Sequence, residues 1–164
     1  MISGLERILY ATDLGHNSDY VFSYASYLAK LTGAELHLLH VVAELSDDVK
    51  FTLQAYVMDK KARHSILDER VSKARALFKE RQDDYWAHQT LEDQKVREQI
   101  KSVTVCEAFA PEQILKTAKQ YNCDLVVIGA HARGFTHTFL GGVAEKVLRR
   151  SRIPSMVVPL PEED

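Results

Sequence analysis

The chain has little of what marks a secreted, fibrous or membrane protein. Its 164 residues include two cysteines, four prolines and seven glycines, and 21 Lys plus Arg against 23 Asp plus Glu give a net charge of −2. That balance argues against a basic nucleic-acid-binding surface. No apolar run approaches the roughly 18 residues that span a bilayer. We therefore expect a globular cytoplasmic protein that binds neither nucleic acid nor membrane.

The two cysteines, Cys106 and Cys123, have no C-x-x-C spacing and each lies beside apolar residues. The N-terminal segment 1–7 lacks a charged stretch followed by an apolar one, so no export signal is expected. Isolated cysteines in such a chain are usually core thiols. We predict free thiols, in keeping with a reducing compartment.

Short β-branched or aliphatic runs predict five strands. The second and fourth are nearly continuous in apolar side chains, which is typical of strands covered on both faces. The sequence therefore predicts a buried parallel sheet. The five runs are 7–11, 36–42, 103–105, 125–128 and 156–158.

Helical patterns separate these strands. One begins at Asn17 or Ser18 and ends at Gly33, a second runs from Pro111 to near Asn122, and a third runs from the glycine pair 141–142 to Pro154. A single domain over residues 1–164 with this alternating order predicts a three-layer α/β sandwich with right-handed crossovers.

The middle of the chain, about 50–101, is charged and enlarged. Its apolar stripe predicts one long amphipathic helix, and the segment after about residue 89 is either a helical extension or a mobile loop. Tyr56, Met58, Tyr85 and Trp86 of this segment are expected to pack on the sheet, and a lid over the ligand cleft or a docking surface for a partner protein are the alternatives. Among them Trp86, which lies past the stripe, is the residue expected as an exposed anchor if there is one. The stripe consists of Leu53, Val57, Ile66, Leu67, Val71, Ala74, Leu77 and Phe78.

Two strand ends carry the residues of chemical interest, because ligands of such sheets collect beyond the carboxyl ends of strands. Asp13 follows the first strand, where it either accepts a hydrogen bond from a ligand or braces the turn. Gly129 ends the fourth strand, and Gly141 and Gly142 begin the next helix. Free backbone N–H groups at a helix start are suited to a phosphate.

The histidines of the second strand do not predict a metal site. His37 and His40 are three residues apart on a strand, so their side chains point to opposite faces. We predict that His40 is a strand histidine satisfied by one backbone partner.

Several segments together resemble the universal stress protein family. The resemblance spans nearly the whole chain apart from the long middle. It is carried by Ile8–Asp13, His40–Val42, Asp124–His131, Phe139–Arg149 and Ile153–Val158.

The resemblance implies the adenine nucleotide alpha hydrolase-like fold, with a five-stranded parallel sheet in the order 3-2-1-4-5. It also implies a homodimer paired through the strand 155–160, an unidentified downstream protein, and ATP or another adenine nucleotide, with Mg²⁺ accompanying it. The apolar edge 156–158 itself invites a second chain. The ligand contacts it implies are Ala11, Asp13, Val41, Ile128, Gly129, His131, Arg133, Gly141, Gly142 and Val143.

The chain departs from the family's nucleotide motif, in which G-x-x-G and nine further residues precede Gly and then Ser or Thr. Here Ala132 replaces the second glycine, eight residues separate it from Gly141, and Gly142 replaces the hydroxyl residue. A nucleotide-free dimeric adaptor and a slow Mg²⁺-dependent ATPase therefore stay open beside an ATP-binding module. No G-x-S-x-G, Walker A or H-E-x-x-H sequence is present, and we assign no catalytic residue.

Overall fold

The computed structural model describes residues 3–130 and 140–161. Five strands form one sheet in the order β3-β2-β1-β4-β5, and every neighbouring pair is parallel. This confirms the predicted fold and places β5 at an edge. The strands are β1 Arg7–Thr12, β2 Glu35–Ala43, β3 Ile100–Ala108, β4 Leu125–Gly129 and β5 Ser155–Val158.

Helices cover both faces of the sheet. Side chains of α1 and α3 join one core cluster with β1 and β2, and side chains of α5 and α6 join a second cluster on the opposite face. The predicted three layers are therefore present. The helices are α1 Ser18–Thr32, α2 Asp47–Tyr56, α3 Lys60–Ala87, α4 Leu91–Gln94, α5 Ala110–Gln120 and α6 Gly142–Arg150, with a 3₁₀ turn at Lys95–Gln99.

Trp86 is a core residue, and the prediction of an exposed anchor was wrong. Its side chain is 2% exposed and its indole N–H donates to Gln82. Its ring packs edge-on against Phe22 of α1 at 5.7 Å and against Tyr85 at 5.1 Å. The burial comes from α1, a helix far away in sequence, and the periodicity of α3 alone did not reveal it.

The middle segment begins with two helices, α2 and α3, and not with the single helix predicted. At the end of α2, the Val57 backbone N–H donates to the Leu53 carbonyl. At the start of α3, Asp59 is the N-cap, and its carboxylate accepts the Lys61 N–H. The break at 57–59 therefore has its own capping on both sides. After α3 the chain continues in α4 and the 3₁₀ turn, so the helical-extension alternative holds for this segment.

The remaining sequence expectations concern thiols and hydrophobic spans. Cys106 and Cys123 are free, as predicted, and burial raises the pKa of the Cys123 thiol to about 11. Of the helices in the described ranges, none combines the length and apolar character needed to cross a membrane.

Candidate functional site

The carboxyl ends of β1 and β4 are neighbours at the point where the strand order reverses. From β1 the chain crosses by α1 to β2, and from β4 it crosses by α6 to β5 on the other side of the sheet. Loops that leave in opposite directions open a crevice between them. Asp13 follows β1 and Gly129 ends β4, so the structure brings these two predicted residues to the same edge.

The turn after β1 is braced by its own side chains. The Asp13 carboxylate accepts the Gly15 N–H at 2.8 Å, and the Thr12 hydroxyl accepts the Leu14 N–H at 3.0 Å. Leu14 adopts a positive φ of 58° and places its side chain in the core. The bracing role of Asp13 is therefore shown, and its carboxylate is also exposed at the edge where a ligand would lie.

Two side chains from other elements hold this turn. Nδ1 of His40 lies 2.7 Å from the Thr12 carbonyl oxygen. Because a carbonyl only accepts, Nδ1 must carry the proton. This confirms the single backbone partner predicted for His40. The Arg81 guanidinium of α3 donates to the Gly15 carbonyl at 2.9 Å. The role of Arg81 was not predictable from the sequence, because nothing in its local pattern separates it from the other cations of α3.

Polar groups beneath the turn are partly removed from water. The Tyr10 hydroxyl donates to the Ser18 carbonyl at 2.9 Å, and burial raises the pKa of this phenol. Burial also raises the pKa of the Asp19 carboxyl, and the nearby Arg81 charge works in the opposite direction. Arg81 therefore stands between the turn and the first residues of α1.

An apolar wall lies on the α5 and α6 side of the same edge. Ala11 and Ile128 are buried in one core cluster, and the half-buried Val41 and Val143 pack against it. Four of the predicted contacts, from three strands and one helix, therefore belong to this core cluster or pack against it. A flat aromatic ring is the kind of group that such a wall accommodates.

Gly129 has a structural reason to be glycine. A β-carbon at this position would lie 2.9 Å from Cγ2 of Val21, which packs from α1 onto β4. The glycine is therefore required for close packing of helix on strand, whether or not a ligand binds. From the sequence, Gly129 was expected only as the end of a strand and as an implied ligand contact.

The start of α6 offers backbone donors. Gly141 is the N-cap, with φ −61° and ψ 157°, and as a glycine it has no side chain of its own to cap the helix. The first N–H groups of an α-helix have no partner within the helix, and the helix dipole favours an anion beside them. A β-carbon on Gly142 would meet no atom of the described residues within 4 Å. Glu145 in this first turn is paired with Arg149 at 2.7 Å.

A second cation holds α3 at this edge. Arg70 donates to the Ala43 carbonyl and to the Glu107 carboxylate, both at 2.9 Å, and so connects α3 to the ends of β2 and β3.

His131 and Arg133, the remaining predicted contacts, lie outside the described residues. Within 3–130 and 140–161, no three His, Cys, Asp or Glu side chains are grouped as metal ligands.

Comparisons with known proteins agree with this geometry. The model of the universal stress protein family matches residues 4–159. The fold is similar to universal stress protein UspA from Lactobacillus plantarum, with a TM-score of 0.66, 20% identity, and coverage of 96% of this chain and 99% of that one. No curated protein sequence matches the chain significantly.

Two further solved structures are similar. Hypothetical protein MJ0577, the subject of a structure-based assignment of biochemical function, has a TM-score of 0.62 at 20% identity and covers 97% of this chain and 99% of its own. A universal stress protein in complex with cAMP has a TM-score of 0.57 at 14% identity, with coverage of 96% and 98%. At these identities the structures establish the fold.

Proposed function

The chain belongs to the universal stress protein family, and on that premise we propose that it binds an adenine nucleotide, with ATP as the first candidate, at the edge between β1 and β4. It acts as a ligand-controlled binding module, and its role requires no chemical turnover. The observation that supports the proposal is that the Asp13 turn follows β1 and Gly129 ends β4 at the carboxyl edge where the strand order reverses, and that the chain continues from this edge into α6, whose N-cap is Gly141.

Each part of the site suits one part of the ligand. The wall of Ala11, Val41 and Ile128 takes the adenine ring, and the Asp13 carboxylate accepts an N–H or O–H of the nucleoside. The N–H groups of Gly142 and Val143 take the phosphates, where several donors must act together because the dipole contributes only about 0.3–1 kcal/mol. Mg²⁺ enters with the phosphates. The cAMP complex of a relative supports the adenine class.

The signal leaves the site through α3. Arg81 couples the Gly15 carbonyl to α3, and Arg70 couples the same helix to the ends of β2 and β3. A ligand that orders the Asp13 turn therefore favours the conformations in which α3 keeps both its Arg81 contact with Gly15 and its Arg70 contacts with the ends of β2 and β3. A homodimer through β5 and residues 159–160 completes the proposal, because β5 is an edge strand and Pro159 limits how far the pairing extends.

A nucleotide-free adaptor is the second candidate, and one observation favours it. Gly129, which matches the first glycine of the family's nucleotide motif, is explained by its packing against Val21. That glycine would be retained in a chain that had lost the ligand. The two candidates share the fold and differ in whether the edge is occupied.

The deciding experiment is the nucleotide content of the purified protein after denaturation, followed by calorimetric titration with ATP in the presence and absence of Mg²⁺. Retained nucleotide or saturable binding supports the proposal. Absence of both supports the adaptor. Release of phosphate above the buffer rate, abolished by omitting Mg²⁺, would identify a slow ATPase and contradict a module without turnover.

A further inference from the structure

A histidine, a serine and a glutamate meet at the amino-terminal end of the sheet, the end opposite to the proposed nucleotide site. Nδ1 of His37 on β2 lies 2.7 Å from the hydroxyl oxygen of Ser102 on β3, and Nε2 lies 3.5 Å from a carboxylate oxygen of Glu35. His37 is only 4% exposed, and the Tyr121 ring stacks on its imidazole at 4.3 Å. We call His37, Ser102 and Glu35 the histidine cluster.

The Nε2 atom of His37 is the unusual feature of this cluster. It is buried, and among the described residues it has no hydrogen-bond partner, although the Glu35 carboxylate lies beside it. An unsatisfied buried polar atom costs free energy, and one that persists calls for an explanation, of which a catalytic role is one. An apolar ring at this position would stack on Tyr121 without that cost. Packing alone therefore does not account for a histidine here.

A register shift between β2 and β3 places Ser102 against the imidazole. Leu36 of β2 pairs with Ile100 of β3, but the next residue, His37, pairs with Ser102. Lys101 is therefore an extra residue on β3. In a regular ladder Lys101 would face His37, and the Ser102 side chain would lie on the other face of the sheet. Such bulges recur beside active sites, where they redirect a side chain. Here the shift brings a hydroxyl group to a histidine nitrogen.

The cluster combines a buried base with a more accessible hydroxyl. Ser102 is half-buried, and it lies on β3, an edge strand of the sheet. Burial lowers the pKa of His37, the Glu35 carboxylate partly opposes this, and the Arg7 charge adds to it, so the imidazole is neutral near pH 7. A neutral ring whose Nε2 carries the proton toward Glu35 accepts the Ser102 O–H at Nδ1. A nucleophile, a base and a group that orients the base are then in sequence.

We propose that Ser102 is a nucleophile for acyl transfer, with His37 as its base and Glu35 as the residue that positions the imidazole. The substrate class is a small neutral carboxylic ester, since the nearby carboxylate disfavours an anionic substrate. Ser102 Oγ bonds to the ester carbonyl carbon and gives its proton to Nδ1. The ester C–O bond breaks, and the leaving alkoxide takes that proton and departs as the alcohol. Water then cleaves the acyl-serine with the same base, which releases the carboxylic acid and restores the hydroxyl.

The first test is labelling of the native protein with diisopropyl fluorophosphate, a small reagent for activated serines, followed by intact mass and peptide mapping. One adduct is expected, on Ser102. It should be absent from Ser102→Ala and from wild type unfolded in urea, where the hydroxyl has lost its base. Thr104→Val changes a half-buried hydroxyl residue two positions along the same strand and should label like wild type. An unlabelled wild type, or equal labelling of Ser102→Ala, would overturn the proposal.

The second test is hydrolysis of p-nitrophenyl acetate in the absence of nucleotide. Wild type is expected to react about 100-fold or more faster than Ser102→Ala, whose fold is checked by urea denaturation. The rate should rise with pH to a plateau, with its midpoint below the ordinary histidine pKa of about 6.5. Equal rates for the two proteins would contradict the proposal.

Glu35→Gln tests the positioning role separately. It removes the charge that raises the pKa of His37, so the midpoint of the pH profile should move to lower pH and the plateau rate should fall. A merely structural Glu35 would leave the midpoint in place, and that result would remove Glu35 from the cluster's chemistry. ATP binding by every variant should match wild type, so failure of this proposal and failure of the nucleotide proposal are distinguishable.

Discussion

Gly129 and Val21 leave no room for a side chain between β4 and α1: a β-carbon on Gly129 would lie 2.9 Å from Cγ2 of Val21. The contact is between a strand backbone and a β-branched side chain, whose rotamer is stiff in a helix. A residue that resembles part of a phosphate loop thus has a packing function. The case for a nucleotide rests on the Asp13 turn, the apolar wall and the start of α6.

This contact predicts the outcome of a double-mutant cycle. Gly129→Ala should destabilise the protein by about 1–3 kcal/mol, because overpacking forces the helix or the side chain to shift. In a Val21→Ala background the same substitution should cost less, since the methyl group that it meets is gone. Urea denaturation of the four proteins measures both values. Equal penalties in the two backgrounds would show that the glycine is needed for another reason.

The start of α6 predicts a substitution that removes one donor and little else. Gly142 is the first helical residue, where proline fits and only deletes an N–H, and the extended Gly141 tolerates a following proline. Gly142→Pro should weaken ATP binding about tenfold, the loss of one charge-assisted hydrogen bond. Gly142→Ala keeps the N–H, places its methyl in open space and should bind like wild type. Calorimetric titration compares them, and equal affinity of all three would remove the phosphates from this helix.

Asp13 predicts separable effects on stability and affinity. Asp13→Ala deletes the acceptor of the Gly15 N–H and the proposed ligand acceptor together, so both stability and ATP affinity should fall. Asp13→Asn retains an oxygen for Gly15 and should preserve stability to within about 0.5 kcal/mol. Thermal unfolding and ATP titration are run on the same samples. A variant Asp13→Ala that is less stable but binds ATP normally would leave Asp13 as a brace alone.

A buried histidine predicts how stability depends on pH. His37 contacts Ser102 at 2.7 Å, stacks on Tyr121 and lies 3.5 Å from Glu35, which is also near Arg7. Burial lowers the pKa of His37, and the Glu35 carboxylate only partly opposes this. Below the ordinary histidine pKa of about 6.5 the unfolded chain then binds more protons than the native one, so stability falls with falling pH.

The measurement for His37 is the free energy of unfolding in urea at a series of pH values from neutral to mildly acidic. His37→Phe keeps a ring against Tyr121 and does not titrate, so its stability should fall less steeply than that of wild type over this range. His64→Phe, an exposed change on α3, serves as the control and should follow wild type. Parallel curves for wild type and His37→Phe would show that another group dominates.

The sheet was predictable because its strands are encoded locally. Continuous apolar runs in β2 and β4 identify strands covered on both faces, and all five strands lie where the runs predict them. The ends of the strands were less evident. β3 extends over Ile100–Ala108, well beyond the predicted 103–105, because its alternating polar residues pair with β2 through their backbone. Backbone pairing leaves no mark on side-chain hydrophobicity.

The errors at Trp86 and in the site concern features set by residues distant in sequence, whereas the break in the middle segment has a local cause. Trp86 lies outside the stripe of its own helix and is buried because Phe22 approaches from α1. The division at 57–59 was signalled by Asp59, an N-cap residue, but the apolar positions continue across it and favoured one helix. In the site, the roles of Arg81 and of Gly129 depend on which loop and which helix lie opposite them, and the sequence alone does not fix that pairing.

The occupancy of the edge between β1 and β4 is tested most directly by amide hydrogen exchange of the wild-type protein with and without saturating ATP. The account predicts slower exchange in peptides that cover residues 8–18 and 140–150 and, through the Arg81 contact, in α3, with little change in α5. Unchanged exchange in both peptides at saturating ATP, or protection at a different surface, would contradict it.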